Sequence, residues 1–114
     1  MPMFKIAPPL EKEEERLIIN LYEQVGLIVI KFSQARASKQ TPGIADLQIL
    51  DTKLEAFWWH EVKRRQGPEY KKVRSEQTAD QRAFQLAVEA TGQRYILGPL
   101  STAEQELIER GIIR

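Results

Sequence analysis

Apolar positions recur at spacings of three and four along the first third of the chain. Leu17, Ile18, Leu21, Tyr22 and Val25 fall on one face, which predicts a helix from about Leu10 to Val25. The acids in its first turns suit the positive end of the helix dipole, Pro9 suits a first-turn position, and Gly26 is a natural stop. Residues 1–9, set by Pro2, Pro8 and Pro9, predict an extended arm. The pattern then changes to the nearly unbroken β-branched run Leu27–Phe32, which predicts a central strand covered on both faces. Pro42-Gly43 marks a turn. Leu47–Leu50 and Ala56–Trp59, joined by Asp51-Thr52-Lys53, predict a hairpin, with Phe57 to Trp59 buried. Thr78-Ala79-Asp80-Gln81 has the form of a capping box. It opens a helix to about Thr91, with Phe84, Ala87, Val88 and Thr91 on one face and Gly92 as its stop. Arg94–Leu97 predicts a fourth strand, ended by Gly98-Pro99. Ser101-x-x-Glu104 predicts a second capping box and a short last helix to about Arg110.

The resulting order is α-β-β-β-α-β plus a short C-terminal helix. The helix between the third and fourth strands is long enough for a crossover. This implies an α/β fold, with a mixed four-stranded sheet flanked by helices. At 114 residues, the expectation is one domain over 10–114 behind the N-terminal arm. No internal repeat is visible.

Net charge is +1, but that sum conceals two blocks. Glu11–Glu15 carries four acids and one lysine, while Arg64–Arg74 carries five bases and one acid. Nearly balanced totals with an uneven distribution predict a basic surface. The chain has no cysteine, which excludes disulfides and thiolate metal sites. That fits a reducing compartment, and a cytoplasmic location is expected. The N-terminus lacks a signal-peptide pattern, and no run approaches the ~20 apolar residues of a membrane helix.

The hairpin carries the chemistry. Asp46 stands at the start of one strand, and Glu61-Val62-Lys63 at the end of the next. In antiparallel strands those ends are neighbours. Two carboxylates fit Mg²⁺ or Mn²⁺, hard cations that take oxygen ligands together with water and substrate phosphate. The Val62 carbonyl is placed to be a third protein ligand. Lys63 lies on the same strand face as Glu61, where an ammonium serves the attacking water or a phosphate oxygen.

Asp46 followed by Glu61-Val62-Lys63 resembles the PD-(D/E)xK nuclease motif. Gly43-Ile44-Ala45-Asp46-Leu47 resembles the G-x-P-D-L of the VRR-NUC (virus-type replication-repair nuclease) family, with Ala45 where proline is usual. Thr78-Ala79-Asp80-Gln81-Arg82-Ala83-Phe84, followed by Gly92, resembles that family's S/T-P-x-Q segment and its helix. The resemblance spans residues 11 to 98. It implies a restriction-endonuclease-like core and a Mg²⁺- or Mn²⁺-dependent nuclease acting on DNA. Stand-alone members resemble Holliday-junction resolvases, so branched or junction DNA and a homodimer are expected, since a symmetric pair of sites suits a two-fold junction. The resemblance also implies that Gln81 supports the lysine or the water, and that a glutamate of the first helix stands near the metal. Spacing back from Gly26 favours Glu11 for that glutamate. A shorter helix would favour Glu15, and the helical wheel puts Glu14 nearest the middle of the apolar face.

Arg64, Arg65, Lys71, Lys72 and Arg74 follow the site directly and are expected to contact nucleic-acid backbone, as are Arg36 and Lys39 on the loop before Asp46. His60, the lone histidine, alternates away from Glu61 and is expected to be structural. Trp58 and Trp59 are expected to be scaffold. Two other readings compete with a nuclease: a DNA-binding module without turnover, and a protein-interaction domain.

Overall fold

The structure is a computed structural model, and it describes residues 10–32, 41–65 and 77–114. The elements follow the expected order. They are α1 (Glu11–Gln24), β1 (Ile28–Lys31), β2 (Leu47–Asp51), β3 (Ala56–Val62), α2 (Ala79–Ala90), β4 (Arg94–Gly98) and α3 (Leu100–Glu109). One four-stranded sheet has the order β1-β2-β3-β4. The first three strands form an antiparallel meander, and β4 returns through α2 to lie parallel to β3. The sheet is therefore mixed.

Alternation along the strands divides the core in two. Leu47, Ile49, Trp58, Val62 and Ile96 meet Ile18 and Tyr22 of α1 and Ala103 and Leu107 of α3 on one face. Ala45 and Tyr95 meet Val88 of α2 on the other, with Trp59, Phe84 and Leu97 packed round them. Trp58 is fully buried, whereas Phe57 and Trp59 are half-buried. The face expected for α2 is correspondingly narrower: Phe84 and Val88 pack inward, while Ala87 and Thr91 are exposed.

Three further sequence expectations are corrected. The Leu27–Phe32 run does not form a central strand. Among the described residues β1 lies at the sheet edge, paired with β2 alone, and Ile28 and Ile30 are 50% and 38% exposed. Leu27 is buried and Val29 packs against the core, so only one face is covered. A continuous apolar run reports strand propensity but not the number of neighbours. The β2–β3 turn also shifts. Asp51 belongs to β2, and its carboxylate accepts from the Lys53 and Leu54 N–H groups. Glu55 takes the left-handed conformation that closes the turn, at φ 51°.

The third correction concerns α3. It starts at Leu100, after Pro99, and has no capping bond from its own side chains. Ser101 already lies inside the helix, so its hydroxyl cannot cap. The Leu100 N–H donates instead to Glu14 Oε2 of α1 at 2.8 Å. An acid distant in sequence satisfies the orphan donor, and sequence spacing cannot reveal that. The expected capping box of α2 does form in both halves, between Thr78 and Gln81.

Candidate functional site

Register brings the acids together. Leu47 pairs with His60, so Asp46, just before β2, stands opposite Glu61 near the end of β3. The Val62 N–H donates to Asp46 Oδ2 at 2.8 Å. In an extended strand a residue's N–H and C=O face the same edge, so the Val62 carbonyl also faces the Asp46 side. Lys63 Nζ lies 3.8 Å from Glu61 Oε2. Gln81 Nε2 donates to that same oxygen at 2.8 Å.

Gln81 does two jobs because of its amide chemistry. Its Oε1 accepts from the Thr78 N–H at 2.9 Å, completing the cap, and this leaves Nε2 free to reach Glu61. A glutamate would cap equally well but would set an acceptor against an acceptor. The α2 start is held close by Gly43. This glycine has φ +76°, and any Cβ on it would overlap the Asp80 carbonyl and the Gln81 nitrogen. Backbone-to-backbone contact between the turn before Asp46 and the first turn of α2 therefore requires glycine.

The electrostatics of the pair are unbalanced. Burial, reinforced by the Asp46 charge and only partly offset by Lys63, pushes Glu61 up to about 8. Burial also pushes Asp46 up to about 6; the Val62 N–H opposes this, and the charges of Glu11 and Glu15 add to it. Glu61 Oε1 is buried without a hydrogen-bond partner, a state that costs free energy unless something outside the chain satisfies it. Among the described residues no three acidic, histidine or cysteine side chains come close enough to hold a metal together. Two carboxylates and a carbonyl nevertheless suffice for Mg²⁺ or Mn²⁺, whose remaining positions go to water and phosphate. The orphaned oxygen, the two destabilised carboxylates and the all-oxygen donor set fit such a cation.

The three candidate glutamates of α1 separate. Glu14 is fully buried and bound on both oxygens: Arg65 donates to them at 2.8 and 3.0 Å, and Leu100 adds its N–H. The Arg65 guanidinium and the Leu100 N–H together hold its carboxyl below the usual range against the cost of burial. Glu11 and Glu15, one turn apart on the same stripe, are the ones whose charges reach Asp46, and Glu11 also acts on Glu61. Glu15 lies 3.9 Å from Lys31. Arg65, expected on the phosphate-binding loop, is engaged with Glu14. Arg64 is exposed, while Arg36, Lys39, Lys71, Lys72 and Arg74 lie outside the described residues.

His60 stays out of the chemistry, for reasons the fold makes explicit. Its ring is fully buried, and burial lowers it to about 4, so it is neutral. The Gly98 carbonyl, 2.9 Å from Nε2, can only accept, so Nε2 carries the proton. Nδ1 then accepts from the Tyr22 hydroxyl at 2.8 Å, which itself accepts from Trp58 Nε1 at 3.3 Å. Sequence reading missed this chain, the Glu14–Arg65–Leu100 tie and the Gly43 approach. Only the glycine left a local signal, in Pro42-Gly43.

No family model matches the sequence, and no curated protein matches it significantly. The fold does have a counterpart. A solved structure described as a VRR_NUC domain is similar, with a TM-score of 0.64 at 20% identity, over 87% of this chain and 94% of that one. The architecture is thus the restriction-endonuclease-like one that the motif resemblance implied.

Proposed function

We propose that the chain is a metal-dependent nuclease of the VRR-NUC type that hydrolyses phosphodiester bonds in DNA. The single observation carrying this reading is Glu61: a buried carboxylate with one oxygen unpartnered, beside a second raised carboxylate and a lysine, at the positions of the resembled nuclease motif and in a fold similar to that of a VRR_NUC domain. Asp46, Glu61 and the Val62 carbonyl hold Mg²⁺ or Mn²⁺. When bound, the cation supplies Lewis acidity at phosphorus and makes water easier to deprotonate. Lys63 donates to the attacking water or to a non-bridging phosphate oxygen. Gln81 fixes the Glu61 carboxylate through its Oε2, which leaves Oε1 for the cation. Glu11 adds its negative charge from α1 and helps to retain the cation.

The expected substrate is branched DNA of the Holliday-junction kind, cut by a homodimer in the cytoplasm. Arg64 and the basic positions Arg36, Lys39, Lys71, Lys72 and Arg74 are assigned to its backbone, with Arg65 adding charge beside its tie to Glu14. The test is cleavage of junction, flap, splayed and linear duplex DNA with Mg²⁺ or Mn²⁺, comparing wild type with Lys63→Ala. Metal-dependent cutting abolished by the substitution is expected. Undiminished cutting by Lys63→Ala would reject this site. Salt-dependent DNA binding with no cutting under either metal would favour a binding module instead. Light scattering at micromolar concentration tests the dimer: a monomer would remove the symmetry argument for junction cleavage.

A further inference from the structure

The outward side of α1 carries a feature that the motif does not account for. A groove of about 460 Å³ runs between α1 and the end of β1, with Leu10 and Ile19 as apolar lining and Lys12, Arg16 and Lys31 as cations. Lys12 and Arg16 are one turn apart and exposed, and no ion pair engages either of them among the described residues. Each stands one residue beyond an acid of the stripe that acts on Asp46: Lys12 after Glu11, Arg16 after Glu15. One residue is a rotation of ~100° about the helix, so a basic stripe runs directly alongside the acidic one. Glu13, which also lines the groove, lies ~180° from that acidic stripe by the same rotation. The third cation joins groove to site through the backbone. Lys31 sits 3.9 Å from Glu15, and the next residue, Phe32, donates its N–H to the Asp46 carbonyl at 2.8 Å.

From this juxtaposition we infer that the α1–β1 groove is a binding track for the sugar–phosphate backbone of the nucleic acid whose scissile bond lies at Asp46 and Glu61. The assignment rests on the nuclease reading above. A polyanion matches the paired cations at the rim, and the aliphatic lining takes the sugar faces between phosphates. The groove and Arg64 belong to different elements, α1 with β1 and the exit of β3, so each supplies backbone contacts separately. Phosphate contacts of this kind fix position rather than sequence.

The test is the salt dependence of binding to a 20-bp DNA duplex, followed by fluorescence anisotropy without divalent metal, for wild type and the Lys12→Ala/Arg16→Ala double variant. Each phosphate contact contributes about 0.9 to the slope of log K against log salt on duplex DNA. The variant is therefore expected to lower the slope by about 1.8 and to weaken binding at low salt at least tenfold, with an unchanged thermal midpoint. Arg16→Lys with Lys12 intact should keep the slope, because the phosphate attraction requires only the charge. An unchanged slope in the double variant, with wild type still binding and cutting, would overturn the groove and leave the nuclease reading standing. A wild type that neither binds DNA nor cuts it with Mg²⁺ or Mn²⁺ would overturn both.

Discussion

Two pairs of acids withdrawn from solvent, Asp46 half-buried and the others buried, lie within this small fold and are treated oppositely. Glu14 and Glu106, on the α1–α3 side, are matched by the chain itself. Arg65 grips Glu14 with two bonds, while Arg94 and Arg110 converge on Glu106 at 3.0 and 2.8 Å. Asp46 and Glu61, at the sheet end facing α2, are matched incompletely. One lysine at 3.8 Å serves the pair, both carboxyls are raised, and Glu61 Oε1 is left without a partner. Glu61 is as buried as Glu14 and Glu106, so burial by itself does not separate the two sets. The difference is whether the fold supplies the counter-charge. Where it does, the acid is a structural tie; where it does not, the carboxyl is raised and an acceptor is left over, the mark of a functional-site candidate.

Charge removal should therefore act with opposite signs on the two sets. The largest effect is expected for Glu61→Gln. DNA cleavage should fall by about 10³-fold or more, on the scale of losing a group that stabilises transition-state charge, while the metal-free protein becomes more stable at pH 8. The sign follows from the raised carboxyl. Its folded value, about 8, lies above the ordinary glutamate value of 4.5, so its contribution is full below 4.5 and is lost as pH rises through 8. Removing the titration removes that loss. Metal-free thermal unfolding at pH 5 and pH 8 measures it, and a Glu61→Gln protein destabilised at pH 8 would break the contrast.

Glu14→Gln should do the reverse. It keeps the volume but removes the partner of Arg65 and weakens the acceptor of the Leu100 N–H. Breaking a buried pair costs about 3 kcal/mol or more, less where the orphaned partner reaches water. The Arg65 side chain is 43% exposed, so a loss of about 2 kcal/mol is expected in urea unfolding. Tyr22→Phe should cost about 1–2 kcal/mol, because it leaves His60 Nδ1 and Trp58 Nε1 without their shared partner. Smallest in stability, but most specific, is the response to a divalent cation. Mn²⁺ should raise the melting temperature by a few degrees at pH 8, by mass action on the folded state, and by less at pH 5, where Glu61 holds its proton. The same addition should leave Glu61→Gln unmoved.

Much of the site was legible because its determinants are local or periodic. Alternation put Glu61 and Lys63 on one strand face and His60 on the other. The hairpin put Asp46 opposite Glu61 before any coordinate was known. The capping-box spacing located Gln81 at a helix start, and the helical period delivered α1 within a residue of its observed ends. What escaped was set by neighbours far along the chain. The Leu27–Phe32 run carries the same letters whether one strand or two lie beside it, and only the meander decided that β1 is an edge. Ser101 and Glu104 have the spacing of a cap, yet the α3 start is served by a carboxylate 86 residues away. The choice among Glu11, Glu14 and Glu15 likewise depended on where α1 docks.

The sequence thus determined the order of elements, the sheet class and the grouping of Asp46, Glu61 and Lys63, because strand alternation and helical period act over a few residues; capping placed Gln81 at a helix start, and only the family resemblance set it beside those three. Tertiary structure alone decided which acids the fold would neutralise. Counter-charges come through space: Arg65 reaches Glu14 across 51 positions and Arg94 reaches Glu106 across 12. Until those partners are placed, a carboxylate that ties the fold together and one that the fold leaves unmatched are the same residue.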